Sequence, residues 1–273
     1  MEEITLKRTV LNVAGICNLK CRHCLAFIPY YKEKWIMSAS EAEKLLNMYF
    51  QVVDSVDTFT VTGGEPLLNP EVTDILWKVC NYKDKIVKSM DFVTNSSLAF
   101  PAGLLDFFEQ NRDHCKVILS DYGKSYSVRL KDIIRDLENR NIPYRISEFD
   151  GDNLYYGGWI DFTNHDLKWK TIEERDINSK KCIHSTGKYF VINEGCLHRC
   201  SRSYWRMKNG IIPYTKGEYV DLMDESVPLE EKRKDLLVML NSVSSTSCAY
   251  CVGLANDVPR VKPAQQLQQE GCR

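Results

Sequence analysis

The run C-N-L-K-C-R-H-C over residues 17–24, with G-G-E-P over residues 63–66, decides the reading of this chain. It sets Cys17, Cys21 and Cys24 in a CxxxCxxC just after the apolar stretch Val10 to Val13. Three thiolates at this spacing can hold three irons of a 4Fe–4S cluster. Ordinary clusters use four protein thiolates, so three leave one iron open to a small molecule. Structural zinc is the competing use, but it takes four ligands in paired C-x₂₋₄-C units. Gly63-Gly64-Glu65-Pro66 follows a second strand-like run, Phe59 to Thr62.

These two motifs resemble the radical SAM superfamily. The resemblance implies that the amine and carboxylate of S-adenosylmethionine (SAM) chelate the open iron. It places Gly63, Gly64 and Glu65 at the methionine end of SAM. It places His23, just before the third cysteine, against adenine. Thr94-Asn95 ends a strand as the family's T-N-G does, with Ser96 in place of the glycine, which puts the tight backbone turn in question. Ser120 ends the next strand, where the family contacts SAM through serine. Each of these positions also reads as a plain cap or turn residue.

Bulk properties are those of an ordinary globular chain. The 273 residues are 44% hydrophobic and 27% charged, with a formal net charge of −1, enough to bury a sizeable core. The near balance of charge argues against nucleic acid as a partner. No stretch approaches twenty apolar residues, so no membrane-spanning helix is expected. Eleven cysteines without a signal peptide point to metal rather than disulfides and to a cytoplasmic location.

The first part alternates strand-like and helix-like segments. Strands are expected over Thr9–Ala14, Asp57–Thr62, Met90–Thr94, Lys116–Ser120 and Tyr144–Phe149. Between them Ser40 with Glu43 reads as a capping box, opening a helix with Ala42, Leu45, Leu46 and Tyr49 at helical spacing. Asn69-Pro70 reads as the start of a second helix. Two more helices are expected over Gly103–Gln110 and Val128–Asn139. This alternation implies parallel β/α units, whose chemistry gathers at the carboxyl ends of the strands. The fold class is α/β, and the resemblance makes it a partial (β/α)6 barrel, over residues 1–165. The pattern changes after about residue 150. Asp150 to Asn153 reads as a turn, Lys188 to Arg199 as a hairpin turning at Asn193-Glu194-Gly195, and Leu229 to Leu240 as a helix. Residues 263–273 read as a flexible tail.

A second cysteine set lies in the later part. Cys182 is followed by twelve residues, Gly195, four residues and Cys200, and Cys248-Ala-Tyr-Cys251 closes the set as a CxxC. This resembles the opening of the SPASM domain, and its truncated Twitch form because the further SPASM cysteines are missing. The resemblance implies a small α+β module over residues 166–262. In it Cys182, Cys200, Cys248 and Cys251 ligate an auxiliary 4Fe–4S cluster, giving two clusters in all. A zinc staple from the same four thiolates stays open. Cys196 carries three readings: the ligand in place of Cys200, a hydrogen donor to a substrate radical, or a small buried side chain. Cys80 and Cys115 read as core, Cys272 as incidental.

The compact layout resembles aminocyclitol-modifying radical SAM enzymes of the butirosin-pathway type. It implies an oxidoreductase, a dehydrogenase or an epimerase, that takes hydrogen from a sugar, aminocyclitol or similar small molecule. Oxidation would send an electron to the auxiliary cluster; epimerisation would use Cys196. A flavodoxin- or ferredoxin-type reductant is implied. The short stretch before the first strand is read as leaving no leader-peptide domain, so modification of a short peptide is the alternative. Arg145, Glu148, Tyr155, Tyr156 and Trp159 are candidates for substrate contact, as are Arg199 and Arg202 for an anionic group. His165, His184 and His198 show no metal spacing.

Overall fold

The structure, a computed structural model, describes residues 2–150, 159–255 and 257–267. Tyr155, Tyr156 and Cys272 lie outside the described residues, as do most of the turn expected after Asp150 and the last part of the expected tail.

Strands and helices alternate through the first part: β1 (Thr5–Asn12), α1 (Ala39–Val52), β2 (Ser55–Thr62), α2 (Val72–Cys80), β3 (Ile86–Thr94), α3 (Ala102–Gln110), β4 (Cys115–Asp121), α4 (Leu130–Asn139) and β5 (Tyr144–Glu148). Each strand pairs in parallel with the next. Parallel neighbours require a crossover, and the amphipathic helices supply it. Leu45, Leu46 and Tyr49 of α1, Ile75, Leu76 and Val79 of α2, and Leu104, Phe107 and Phe108 of α3 are buried with Phe59, Val61, Phe92 and Val117 of the sheet. Each such side chain contributes roughly 1.5–3 kcal/mol on leaving water.

The later part then extends the same sheet. β6 (Tyr189–Asn193) pairs in parallel with β1, and β7 (Cys196–His198) and β8 (Tyr219–Asp221) follow antiparallel. The strand order is β5-β4-β3-β2-β1-β6-β7-β8. The sixth parallel strand thus joins the sheet beside β1, and one sheet carries strands from both sides of residue 166. An uncovered β1 would present unpaired N–H and C=O groups; β6 takes them. Four helices complete the later part: α5 (Ile172–Ser179), α6 (Ile183–Thr186), α7 (Ser201–Lys208) and α8 (Leu229–Asn241).

Two helix starts shift by two residues from the sequence reading. The capping box of α1 is Ser38 with Glu41: Ser38 Oγ accepts from Glu41 N, and Glu41 Oε2 accepts from Ser38 N. Ser40 and Glu43 repeat the same S-x-x-E pattern one step inside the helix. α2 begins after Glu71, not after Asn69. Asn69 is instead a buried clamp whose Nδ2 donates to Val13 O and Met37 O at 2.9 and 2.8 Å.

Side chains alternate across β1 as a strand requires. Thr9 points to the helices, where its hydroxyl meets Tyr49 Oη at 2.6 Å. Arg8, Val10 and Asn12 point the other way and line a cavity on the inner face of the sheet.

Candidate functional site

The loop carrying Cys17, Cys21 and Cys24 leaves the carboxyl end of β1, and its base is clamped from both sides. On one side Gly15 N donates to Trp35 O at 2.8 Å, and Met37 N donates to Val13 O at 3.1 Å. On the other, Gly64 N donates to Ala14 O at 2.7 Å, and Glu65 N donates to Ile16 O at 2.9 Å. The two glycines of G-G-E-P are required by this zipper. A Cβ on Gly64 would lie 2.0 Å from Ile16 O, and one on Gly63 would lie 2.7 Å from Ala14 O. Tolerable contacts begin above about 3 Å, so backbone would have to give way.

The cavity beneath this loop holds about 360 Å³. Cys17, Cys21, His23 and Cys24 form its roof, with Gly63, Gly64, Thr94, Asn95 and Ser120 along the strand ends. Burial pushes the Cys17 and Cys21 thiols up to about 12 and raises Cys24 as well. Thiols in such a place ionise when a metal takes the proton's position, since the thiolate is the ligand. Hydrogen-bond donors already point at the sulfurs: Leu19 N at 3.4 Å and Asn95 Nδ2 at 3.7 Å from Cys17, and Gln266 Nε2 at 3.6 Å from Cys21. Gln266 belongs to the stretch read as tail. Residues 265–267 lie along the cysteine loop, with Leu267 N donating to Lys20 O at 2.8 Å.

Glu65 is fully buried and turned away from the cavity. Its carboxylate accepts from Thr94 Oγ1 and Asn95 N, each at 2.8 Å, and from Leu67 N at 3.1 Å. It fastens the end of β2 to the end of β3. Burial nonetheless raises its pKa to about 7. Asn95 spans to the cysteine loop through Nδ2, 2.9 Å from Asn18 Oδ1. Ser96 takes the left-handed conformation, φ 60°, that its glycine replacement had put in question. His23 is buried with Nδ1 3.4 Å from Asp161 Oδ1, and burial lowers its pKa.

The second cysteine set forms a separate small cavity. Cys182, Cys200, Cys248 and Cys251 all line it. Backbone N–H groups point at three of the sulfurs: Leu254 N at 3.4 Å from Cys182, Ser245 N at 3.5 Å from Cys248 and Gly253 N at 3.3 Å from Cys251. Gly253 must be glycine, with φ 78° and a Cβ position 3.3 Å from Cys182 Cβ. Among the described residues no three His, Cys, Asp or Glu side chains come together tightly enough to hold a single metal ion.

Cys196 lines neither cavity. Its thiol, raised to about 12 by burial, hydrogen-bonds Asp221 across the β7–β8 pair. Of the two cysteines flanking this hairpin strand, Cys200 is the one that lines the second cavity.

Three arginines surround the second cavity. Arg206 is 1% exposed; Nη1 donates to Ser247 O and Oγ at 2.8 and 2.9 Å, and Nη2 donates to Tyr250 O at 2.9 Å. Arg199 donates to the carbonyls of Met239 and Ser242. Arg202 is 2% exposed, lies with Cζ 4.7 Å from the centre of the Phe162 ring, and leaves Nη1 without a partner. Among the described residues no carboxylate makes an ion pair with any of the three. Burial opposes the charge on each. At Arg202 the neighbouring Cys200, Cys251, Cys182 and Cys248 together outweigh it and raise the pKa; at Arg199 and Arg206 burial wins and lowers it.

Sequence reasoning missed Arg206 and the role of His184. His184 lines both cavities and so forms the wall between them. Its position two residues after Cys182 was the available signal. Trp159 lines the first cavity with Tyr122 and Phe149, whereas Arg145 and Glu148 are exposed on β5. His198 is a core residue stacked on Tyr219 at 5.7 Å.

The sequence profile of the Radical SAM superfamily matches residues 11–119, which hold the first cysteine set and G-G-E-P. Among curated proteins, GTP 3',8-cyclase of Clostridium acetobutylicum is 35% identical over 69 residues, 25% of this chain and 21% of that protein. Molybdenum cofactor biosynthesis protein 1 of Bos taurus is 34% identical over 62 residues, 22% of this chain and 10% of that protein. The chain therefore spans only a tenth to a quarter of the length of the curated relatives it matches. Among solved structures, BtrN in complex with AdoMet and 2-DOIA is 13% identical with a TM-score of 0.50, covering 75% of this chain and 77% of that one. Native anSMEcpe with bound AdoMet is 11% identical with a TM-score of 0.51, covering 94% and 93%. These show a shared fold. Residues 11–119, which carry the first cysteine set and G-G-E-P, thus resemble the Radical SAM superfamily, whose members bind SAM and an iron–sulfur cluster. No described helix is long and apolar enough to cross a membrane.

Proposed function

We propose that this radical SAM chain is an oxidoreductase with two 4Fe–4S clusters that dehydrogenates a small polar molecule. The observation that carries the reading is the second cavity. Four cysteines and three buried guanidinium groups meet there with no carboxylate in ion-pair contact among the described residues. Buried cations need a counter-charge, and a cluster held by Cys182, Cys200, Cys248 and Cys251 supplies one.

Cys17, Cys21 and Cys24 would hold the first cluster. Gly63 and Gly64 leave room beside it for the methionine end of SAM, with Asn95, Ser120 and His23 along its length. When bound, these groups would supply radical hydrogen abstraction at the first cavity and a one-electron acceptor at the second, and the proton lost in the dehydrogenation would pass to solvent or a nearby base. His184 stands in the wall between the two cavities. Trp159, Tyr122 and Phe149 give the cavity an apolar aromatic wall. A one-electron donor of the flavodoxin or ferredoxin type completes the cycle. A cavity of about 360 Å³ is of the size that takes a small molecule such as a sugar or aminocyclitol.

The test is iron and acid-labile sulfide per chain after anaerobic reconstitution, with zinc assayed alongside. Wild type should hold about eight irons and the Cys248→Ala/Cys251→Ala variant about four. Four irons in both, with zinc in wild type, would replace the auxiliary cluster by a structural staple. Wild type should also release 5′-deoxyadenosine from SAM under dithionite.

A further inference from the structure

The floor of the first cavity, at the amino-terminal half of the strands, is built for a ligand that SAM does not account for. The strand register arranges it in rows. Tyr189, Arg8 and Thr58 lie side by side in the lowest row. Val191, Val10, Thr60 and Asp91 form the next. Asn12 and Thr62 stand above them, with Asn193 bonded to Asn12 from β6. Arg8 is four residues before Asn12 on β1, roughly 13 Å deeper at the rise of a strand.

Several polar groups on this floor are unsatisfied. Thr60 is 3% exposed, lines the cavity, and its hydroxyl has no partner. Asn193 Oδ1 accepts from Asn12 Nδ2, while Asn193 Nδ2 has none. Arg8 forms an ion pair with the buried Asp91, Nη2 to Oδ2 at 3.5 Å, and rests with Cζ 5.7 Å from the Tyr189 ring centre. Its side chain is a third exposed, so its remaining N–H donors are open to solvent or to a ligand. Buried polar atoms without partners are costly, and native folds keep few of them. Among the described residues lining this cavity, Arg8 is the one lysine or arginine, and no aspartate or glutamate lines it. Asp91 stands behind Arg8, fixed by Ser89 Oγ at 2.8 Å.

We propose that this floor is the substrate subsite, and that it reads an anionic group, a carboxylate or a phosphate, through Arg8 while Thr60 and the Asn12–Asn193 pair meet hydroxyl groups. The substrate class is then a small acidic or phosphorylated polyol. Its anionic end sits deep, and its other end reaches up toward Asn12 and the cysteine loop. The inference rests on the radical SAM reading above and narrows its substrate.

The experiment uses anaerobically reconstituted, SAM-loaded protein and three probes: glycerate, glycerol 3-phosphate and glycerol. Ligand-dependent melting gives apparent affinities, and release of 5′-deoxyadenosine under dithionite is followed in the same preparation. Wild type should bind one or both acids at least tenfold more tightly than glycerol, and the two acids distinguish carboxylate from phosphate. Arg8→Gln should erase that contrast, as expected for the loss of charge-assisted hydrogen bonds. Thr60→Val, a near-isosteric change, should weaken all probes while keeping the contrast. Equal binding of acids and glycerol by wild type, or a contrast that survives Arg8→Gln, overturns the subsite. Absence of SAM cleavage would instead strike the parent reading, and the binding contrast would still decide the subsite.

Discussion

Phe27, in the cysteine loop, stacks on Trp205 of α7 with ring centroids 4.6 Å apart and planes inclined by 18°. Phe27 lies three residues beyond Cys24 and Trp205 five beyond Cys200, so one aromatic contact joins the supports of both cysteine sets. His165 also packs on Trp205, with ring centroids 4.9 Å apart, and lies 5.7 Å from the Phe27 ring. Phe27 holds a left-handed backbone, φ 57°, and the stack is what this conformation secures. Trp205→Ala should cost about 3–5 kcal/mol, the usual range for a buried tryptophan, and should lower iron retention at both cysteine sets. Trp205→Phe should recover most of it. Urea midpoints and iron per chain check both, and loss of iron from the second set alone would show that the stack does not couple the two.

Arg202 has the tightest electrostatic link to the second cavity. A cation stabilises the reduced, more negative state of a nearby cluster. At an effective dielectric near 20 and a separation of roughly 6 Å, one charge is worth about 3 kcal/mol, on the order of 100 mV for one electron. Arg202→Met keeps the bulk and removes the charge. The midpoint potential of the cluster proposed for the second cavity, followed by paramagnetic resonance, should fall by tens of millivolts or more, with iron content unchanged. An unaltered potential would mean that the guanidinium serves packing against Phe162 alone.

Glu65 makes stability depend on pH in an unusual direction. Its carboxyl titrates near 4.5 in the unfolded chain and at about 7 in the fold, because burial outweighs its three hydrogen bonds. A raised carboxyl pKa means that the folded state binds the proton more tightly. Stability is unaffected well below pH 4.5, falls as pH rises from about 4.5 to 7, and levels off above that. The full cost is on the order of 3 kcal/mol. Glu65→Gln should flatten this segment of the stability curve, at the expense of one acceptor toward Thr94 or Asn95. Urea denaturation at several pH values reads the slope. A wild-type curve that rises across this window would mean that the hydrogen bonds, not burial, control the group.

Much of the first part was legible because its signals are local. Strand period, helix period and turn residues place β2 to β5 and α1 to α4 within a few residues, and the cysteine spacing marks the first site outright. The capping box was misplaced because S-x-x-E occurs twice, two residues apart, and only tertiary packing selects Ser38. The partner of β6 was not legible, since pairing with β1 joins segments about 180 residues apart. The sequence of α7, S-R-S-Y-W-R-M-K, looks like a solvent-facing helix. It is buried from Ser201 to Met207 because its arginines face a nest of cysteines, and periodicity is blind to that charge pairing. Glu65 shows the same limit: the motif found the residue, while the direction of its carboxylate depended on Thr94 and Asn95.

Ser96 stores strain that a single substitution should release. It sits at φ 60° where a residue with a Cβ pays about 1–2 kcal/mol, it is fully buried, and its hydroxyl has no partner. The turn is held from both sides: Ser96 N donates to Thr94 Oγ1 at 3.2 Å and Ser96 O accepts from Arg129 N at 3.0 Å. Glycine keeps both bonds, removes the strained Cβ and the orphan hydroxyl, and gives back some backbone entropy to the unfolded chain. The net gain for Ser96→Gly should be about 1 kcal/mol, seen as a melting temperature higher by a few degrees. SAM affinity should hold, because Asn95 keeps its bond to Asn18. A variant that melts lower than wild type would show that the hydroxyl has a partner that offsets the strain, and it would make Ser96 a contact within the site rather than a turn residue beside it.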